Sequence, residues 1–302
     1  MKSILILILK VILLTFLMFI LMAIGGLLVT SQPDASQTTS GSSAASMFRI
    51  AIVCLIDVII LTYFILRARL TGIKLMIITA ILFYGIKTFL AVIEFWFFVA
   101  SDGTSMNLFL FSVPQSLFFP VIAVPLLGIY KRKEGLNERT PAIWERDNRG
   151  WIWKIALLIL IVYPLLYFTF GYFIAWQNYD VRAYYNGEDY GSFLKHFSHT
   201  FKETPWLYFF QVGRGLIWVI LALLVIRAMK GNVWEVGLFT AFLFALVMND
   251  SHLIPNPLMP PAVQKVHFIE TASSNFIWGL CIVLVLKWRE VTKYTRQQVV
   301  GR

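Results

Sequence analysis

The fold of this chain is constrained most by eight long apolar runs. The loops between them place positive charge mainly on one side of these runs and little on the other. A helix needs roughly 20 apolar residues to cross the hydrocarbon core of a bilayer, and the eight runs are interpreted as such helices. Only 14% of the residues are charged, against about 25% in an ordinary soluble domain. The lipid bilayer is therefore predicted to be the main solvent of this protein.

The same runs predict an all-α fold, a polytopic bundle of about eight transmembrane helices in a single transmembrane domain over residues 1–302. Lipid cannot satisfy backbone polar groups, so a spanning segment must be a helix or part of a closed barrel. Barrel strands alternate with period two over short segments, whereas these runs are long and unbroken. The predicted helices cover residues 4–29, 47–66, 72–100, 107–130, 151–177, 207–228, 233–248 and 266–286.

Basic residues near the helix ends predict the orientation, because cytoplasmic loops carry an excess of Lys and Arg. One face collects most of these residues, among them Arg67, Arg132, Arg227 and Lys287. The other face carries few of them, together with a Ser- and Thr-rich stretch at residues 30–46. The sequence thus predicts a multi-pass protein of the cell membrane, with both termini in the cytoplasm and a flexible external loop at 30–46.

The net charge of +10 follows from the same loop bias and needs no nucleic-acid partner. No folded basic domain is evident, so nucleic-acid binding is not expected. Cys54 and Cys281 both fall inside predicted helices, which leaves no disulfide framework and no thiol motif for a metal. The expected partners are the bilayer, a lipid or small-solute ligand, and another membrane protein or a second copy of the chain.

Two charges deep in the membrane are predicted to form a pair. Asp57 is expected about 15 Å below the outer end of the second helix, and Lys87 about 20 Å below the outer end of the third. Charged side chains are costly in lipid, so each is expected to have a partner or a function. Two interpretations stay open: a buried ion pair that fixes the helix register, and a relay for a proton or an ion.

A second pair is expected nearer the outer surface. Glu94 on the third helix and Arg214 on the sixth are both expected about 10 Å below that surface. A bridge between Glu94 and Arg214 would account for both charges. Arg214 beneath the outer mouth of the bundle is also a candidate to bind an anionic or zwitterionic headgroup.

All four histidines are predicted on the outer side: His196, His199, His252 and His267. His267 and Glu270 have the spacing i, i+3, which places both side chains on one helix face, as a zinc site with His and carboxylate ligands requires. His252, His267 and Glu270 are therefore candidate ligands for a divalent metal such as zinc. The plainer interpretation is that the helix dipole favours Glu270 in a first turn.

The stretch that leads into the last helix is the preferred location of a functional site. Four prolines between residues 255 and 261 prevent a regular helix, and non-helical backbone at membrane depth must pack on protein. Asp250 and His252 precede these prolines, and Asn275 adds a polar group to the helix that follows. The predicted ligand-binding set is Glu94, Arg214, Asp250, His252, His267, Glu270 and Asn275.

The sequence contains no recognised enzyme signature, since it lacks a GxSxG elbow, a phosphate-binding loop and a dinucleotide fingerprint. Three classes of function remain. The favoured one is a binding or transport protein for a small solute, an ion or a lipid headgroup, with a polar site open to the outer face. The second is a membrane-embedded enzyme, either a metal-dependent hydrolase or a transferase acting on a lipid-linked substrate. The third is a structural subunit of a membrane complex.

Overall fold

A computed structural model describes residues 2–30, 44–99, 109–131, 148–254 and 259–287. These residues are almost entirely helical, and no strand occurs among them. The all-α polytopic membrane fold predicted from the sequence is confirmed. In the described ranges seven helices are long and apolar enough to cross a membrane: Ser3–Val29, Ala44–Arg67, Gly72–Phe98, Phe109–Leu126, Gly150–Trp176, Trp206–Ala228 and Pro261–Leu286.

The predicted span at residues 233–248 is a shorter apolar helix, Val233–Val247. It rises about 22 Å, which is less than the roughly 30 Å of the hydrocarbon core. Beyond it the chain leaves the helical path and forms a 3₁₀ turn, Asp250–Leu253. The prediction of about eight helices therefore corresponds to seven full spans and one short apolar helix in the described part of the chain.

The chain groups into two compact units. Unit 1 comprises Met1–Arg139 and Leu246–Met259, and unit 2 comprises Thr140–Ala245 and Pro260–Arg302. The single transmembrane domain expected from the sequence stays a prediction. Residues 31–43 of the predicted external loop, and the prolines at positions 255 and 257, lie outside the described residues.

Unit 1 is built from helices that pack around an apolar core. Its elements are α1 (Lys2–Thr30), α2 (Ala44–Arg67), α3 (Gly72–Tyr84), a π-turn (Gly85–Phe89), α4 (Leu90–Val99), α5 (Val113–Leu126) and the 3₁₀ turn Asp250–Leu253. Both α1 and α3 pack against α2 and α5, and the 3₁₀ turn packs against α2. The π-turn continues the helical path from α3 into α4, so that one span carries all three elements.

Unit 2 contains the remaining α-helices. They are α6 (Asn148–Leu157), α7 (Tyr163–Phe170), α8 (Tyr179–Tyr184), α9 (Phe193–Glu203), α10 (Trp206–Ala228), α11 (Val233–Phe242) and α12 (Pro261–Leu286). In its core the Trp218 indole donates to the Tyr163 hydroxyl at 3.2 Å, and the Tyr163 and Trp278 rings lie 5.0 Å apart. Residues 178–206, which lie between the predicted helices 151–177 and 207–228, contain two helices, α8 and α9.

Gly279 sets how closely α11 and α12 approach each other. A Cβ atom on Gly279 would lie 2.8 Å from the Thr240 carbonyl oxygen and 2.9 Å from the Ala241 Cα, and backbone atoms cannot rotate away. We expect Gly279→Val to destabilise the protein by about 1–3 kcal/mol through overpacking. The matched control is Gly213→Val on α10, where a Cβ would meet none of the described residues within 4 Å. Equal thermal unfolding midpoints for the two variants in detergent would contradict the close packing.

Candidate functional site

A charged cluster in unit 1 joins side chains from three separate parts of the chain. Lys87 Nζ lies 2.7 Å from Asp57 Oδ2, and it also donates a hydrogen bond to Asp250 Oδ2. Asp57 and Asp250 are each 1% exposed, and the Lys87 side chain is 8% exposed. One ammonium group is thus shared by two buried carboxylates, in what is called here the Asp57–Lys87–Asp250 cluster.

The cluster lies near the middle of its membrane-spanning helices. Asp57 is about 15 Å from the nearer end of α2, and Lys87 is about 17 Å from the nearer end of the span Gly72–Phe98, at 1.5 Å rise per residue. In a hydrocarbon core about 30 Å thick, both positions are close to the midplane. Charged groups at that depth are rare and costly, and they usually pair with one another.

Two departures from regular helix accompany Lys87 and Asp250. Lys87 lies in the π-turn Gly85–Phe89, which holds more residues per turn than an α-helix, and such turns are frequent at functional sites. Asp250 opens the 3₁₀ turn, where the His252 N–H donates to the Asn249 carbonyl at 3.1 Å. The Phe83 ring centroid lies 5.6 Å from Lys87 Nζ and adds a cation–π contact.

The charges of the cluster do not balance. Two ionised carboxylates and one ammonium group leave one negative charge in a region of low dielectric constant. The second carboxylate oxygens, Oδ1 of Asp57 and Oδ1 of Asp250, are buried and accept no hydrogen bond from any described residue. Buried acceptors of this kind are unfavourable unless they are satisfied. One added proton or small monovalent cation would therefore neutralise the cluster.

A hydrogen-bonded chain in unit 2 links Tyr185, His267 and Glu270. The Tyr185 hydroxyl lies 3.1 Å from His267 Nε2, and His267 Nδ1 lies 2.9 Å from Glu270 Oε2. A carboxylate that accepts from the Nδ1–H group orients the imidazole and leaves Nε2 to accept from the tyrosine hydroxyl. The structure thus brings His267 and Glu270 together on one face of α12, as their spacing predicted.

An aromatic cluster surrounds His196 where α9 packs against the end of the span Gly150–Trp176. The rings of Trp176, Tyr172 and Tyr190 lie 4.9, 5.4 and 5.7 Å from the His196 ring. His196 Nδ1 is buried and has no hydrogen-bond partner among the described residues. Burial, assisted by the neighbouring charge of His199, lowers the pKa of His196.

The aromatic cluster is expected to loosen at acidic pH. Because the folded state disfavours protonated His196, the unfolded state binds the proton more readily below the ordinary imidazole pKa of about 6.5. The aromatic cluster therefore has its full stability above the ordinary imidazole pKa. It loses stability as the pH falls toward the lower pKa of His196 in the folded state. Hydrogen exchange of residues 188–203, corrected for intrinsic rates, should be faster at about pH 5.5 than at about pH 7.5. His196→Phe should remove the difference, and equal protection of the wild type at both pH values would contradict this account.

The structure brings Asp57 and Lys87 together, as their depths predicted, but the contact between Lys87 and Asp250 was not predicted. Asp250 was instead assigned to a polar site near the outer surface. His252 lies in the same 3₁₀ turn, with its Nδ1 3.5 Å from the Ser251 hydroxyl. Asp250 therefore belongs to the charged cluster in unit 1.

The other predicted site residues lie on separate helices. Arg214 on α10 is 5% exposed, and one of its N–H groups donates to Gln211 Oε1 at 3.3 Å. Asn275 lies on α12 and is buried. Glu94 lies on α4 in unit 1. The bridge between Glu94 and Arg214 stays a prediction.

The donor groups for a metal do not gather in the described part of the chain. No group of three or more His, Cys, Asp or Glu side chains that could hold a metal ion occurs there. Both ring nitrogens of His267 are engaged, Nδ1 with Glu270 and Nε2 with Tyr185. The predicted zinc site of His252, His267 and Glu270 gains no support from this arrangement.

No family model, curated protein or solved structure matches this chain. Its class is therefore defined by the fold and the site alone. The protein is an integral membrane protein of long apolar helices, and in unit 1 a charged cluster joins two of these helices to a 3₁₀ turn. The lipid bilayer is its environment.

Proposed function

We propose that this protein is a membrane binding or transport protein for a small cation, in the first place a proton, and that the Asp57–Lys87–Asp250 cluster is its binding site. One observation carries the proposal: a single lysine is shared by two buried aspartates close to the middle of spanning helices. Ionisable residues inside a membrane commonly mark pathways for ions and protons.

Charge distinguishes this cluster from a purely structural ion pair. One aspartate and one lysine are neutral together and can fix the helix register without a ligand. A second aspartate adds a negative charge whose burial costs several kcal/mol when no partner compensates it. Uptake of a proton by either carboxylate removes that cost, and so does a monovalent cation at the free Oδ1 atoms.

The backbone beside Asp250 supports the same function. In many transporters, helices are interrupted within the membrane, and the exposed carbonyls and C-terminal ends of the half-helices coordinate Na⁺ or H⁺. Here the apolar helix Val233–Val247 ends shortly before Asp250. The helix dipole places partial negative charge at that C-terminal end, which favours a cation next to Asp250.

We place the protein in the cell membrane with both termini in the cytoplasm, on the distribution of Lys and Arg between its loops. Two other residues of the predicted ligand-binding set, Glu94 and His252, belong to the same unit as the cluster, and we propose that they line the entry of the ligand. A reporter fused at Gly187 should then be external and one fused at Gly135 internal. The reverse result would overturn the orientation.

Transport by the reconstituted protein tests the function. Liposomes that enclose a pH-sensitive dye receive an inward proton gradient, while valinomycin and potassium hold the membrane potential constant. The wild-type protein should acidify the interior faster than the leak of protein-free liposomes. A parallel series with sodium replaced by choline distinguishes a proton carrier from a sodium carrier, because only the latter depends on sodium. Rates equal to the leak, with sodium flux also at background, would overturn the proposal.

The Tyr185–His267–Glu270 chain favours a second candidate function, a membrane-embedded hydrolase or transferase acting on a lipid-linked substrate. An imidazole oriented by a carboxylate and hydrogen-bonded to a hydroxyl has the geometry of a general base beside a nucleophile. Incubation with vesicles of fluorescent phospholipid should then yield a cleaved or transferred product, detected by mass spectrometry, that His267→Gln abolishes. A wild-type protein that leaves these lipids unchanged would contradict this candidate.

A further inference from the structure

We propose that α9 is a membrane-embedded helix in the lipid leaflet at the Trp176 end of the span Gly150–Trp176, with Leu194 and Phe201 in contact with acyl chains. This proposal concerns a surface and its partner, and it does not depend on the cation site. The sequence predicted no separate role for α9, whose residues were assigned only to the loop between the predicted helices 151–177 and 207–228.

Aromatic contacts attach α9 to the side of the span. The Phe193 ring stacks on Phe173 with centroids 5.7 Å apart, and the Phe197 ring meets Phe168 edge to face at 5.0 Å. Phe173 and Phe168 both belong to the span Gly150–Trp176. His196 on the same helix meets Trp176 and Tyr172, with ring centroids 4.9 and 5.4 Å apart, so the contacts of α9 fall between Phe168 and Trp176, in the last turns of the span.

The depth of α9 follows from the length of this span. Its 27 residues rise about 40 Å, so a span centred in a core of about 30 Å extends about 5 Å beyond it at each end. Phe168, about 12 Å from Trp176 along the helix, then lies about 7 Å inside the core. The contact with Phe168 brings Phe197 to a similar depth. Amphipathic helices at membrane interfaces bury their apolar faces by about 5–10 Å.

The residues of α9 divide between an apolar and a basic face. Successive residues of an α-helix are about 100° apart, so a position can be assigned to a face from its number. The apolar sector is about 100° wide, and the basic sector lies opposite to it. The apolar sector contains Phe193, Leu194, Phe197 and Phe201, and the basic sector contains Lys195, His199 and Lys202.

The protein covers only part of the apolar face. Leu194 is 74% exposed and Phe201 is 49% exposed. On the adjoining span Phe173 is 58% exposed and Leu165 is 57% exposed, so the uncovered surface of α9 continues that of a helix that already faces lipid. Acyl chains fit this continuous apolar surface, while the lysines opposite can extend to the headgroup phosphates.

Thiol labelling at four positions of α9 tests the proposal. Leu194→Cys and Phe201→Cys replace exposed side chains of the apolar face, and Lys195→Cys and Lys202→Cys are matched controls on the basic face. Each variant is reconstituted in liposomes and treated on both sides with a membrane-impermeant maleimide. The wild-type chain, whose Cys54 and Cys281 lie in spanning helices, gives the background.

The two apolar positions should react about tenfold more slowly than the two lysine positions, because the reactive thiolate forms in water and not among acyl chains. Nitroxide labels at the same four positions provide a second readout. At the apolar positions collisions with oxygen should exceed those with a water-soluble nickel complex, and the order should reverse at the lysine positions. Equal reaction at all four positions, whether fast or slow, would overturn the proposal.

Discussion

Replacing either aspartate of the charged cluster by asparagine is expected to lower proton uptake by the reconstituted protein about 100-fold, a loss typical of removing an essential proton-transfer group. Asparagine keeps the shape of aspartate but exchanges no proton at physiological pH. After Asp57→Asn or Asp250→Asn, Lys87 and the remaining aspartate form a neutral pair. The variants should therefore fold while losing the exchangeable charge.

The control for this prediction is Asp189→Asn. The Asp189 side chain is 59% exposed and lies outside the spanning helices, so its replacement should leave uptake unchanged. Internal acidification is measured for all three variants at equal protein content. Wild-type rates in Asp57→Asn and Asp250→Asn would show that the cluster is structural.

Lys87→Met is expected to cause the largest loss of stability, about 3–5 kcal/mol, because it leaves two buried carboxylates without their shared ammonium group. Methionine fills a similar volume, so the loss reports on charge and not on a cavity. Unfolding is followed by denaturant titration in mixed micelles.

Removal of the excess charge should reverse much of this loss. The triple variant with Lys87→Met, Asp57→Asn and Asp250→Asn contains no charge at the cluster, and it should be more stable than Lys87→Met alone. Substitutions within one network have non-additive effects on the free energy of unfolding. The loss of stability in the triple variant should therefore differ from the sum of the losses in the three single variants. Strictly additive losses would contradict the shared contact.

Hydropathy and charge were sufficient to predict the membrane fold and one contact of the site. Lipid imposes helices on long apolar runs, which is why the spans follow from composition. Asp57 and Lys87 met as predicted, since opposite charges at similar depth on consecutive helices have few other partners.

The role of Asp250 was not predicted because the run at 233–248 was interpreted as a complete span. That interpretation placed Asp250 at the outer surface. The chain instead passes through a π-turn, Leu243–Val247, into the 3₁₀ turn of Asp250. Residues 243–247, LFALV, are as apolar as those of a regular spanning helix. The position of the π-turn therefore depends on packing and does not follow from local composition. The short length of the run at 233–248 was the one feature of the sequence that indicated an incomplete span.

The position of α9 was missed for a different reason. Phe193, Phe197 and Phe201 recur every four residues, a pattern that predicts an amphipathic helix. The stretch was nevertheless assigned to the loop between the predicted helices 151–177 and 207–228. The contacts with Phe168 and Phe173 join residues that are distant in the sequence, and neither periodicity nor composition predicts which helix an aromatic face will meet.

The exchangeable proton proposed for the Asp57–Lys87–Asp250 cluster can be detected by infrared difference spectroscopy of the reconstituted protein. The wild type should show a protonated-carboxyl band that shifts in heavy water. The band should vanish in both Asp57→Asn and Asp250→Asn, because the remaining aspartate is then ionised beside Lys87, and it should persist in Asp189→Asn. A wild-type spectrum without such a band, or a band that survives in both cluster variants, would contradict this proposal.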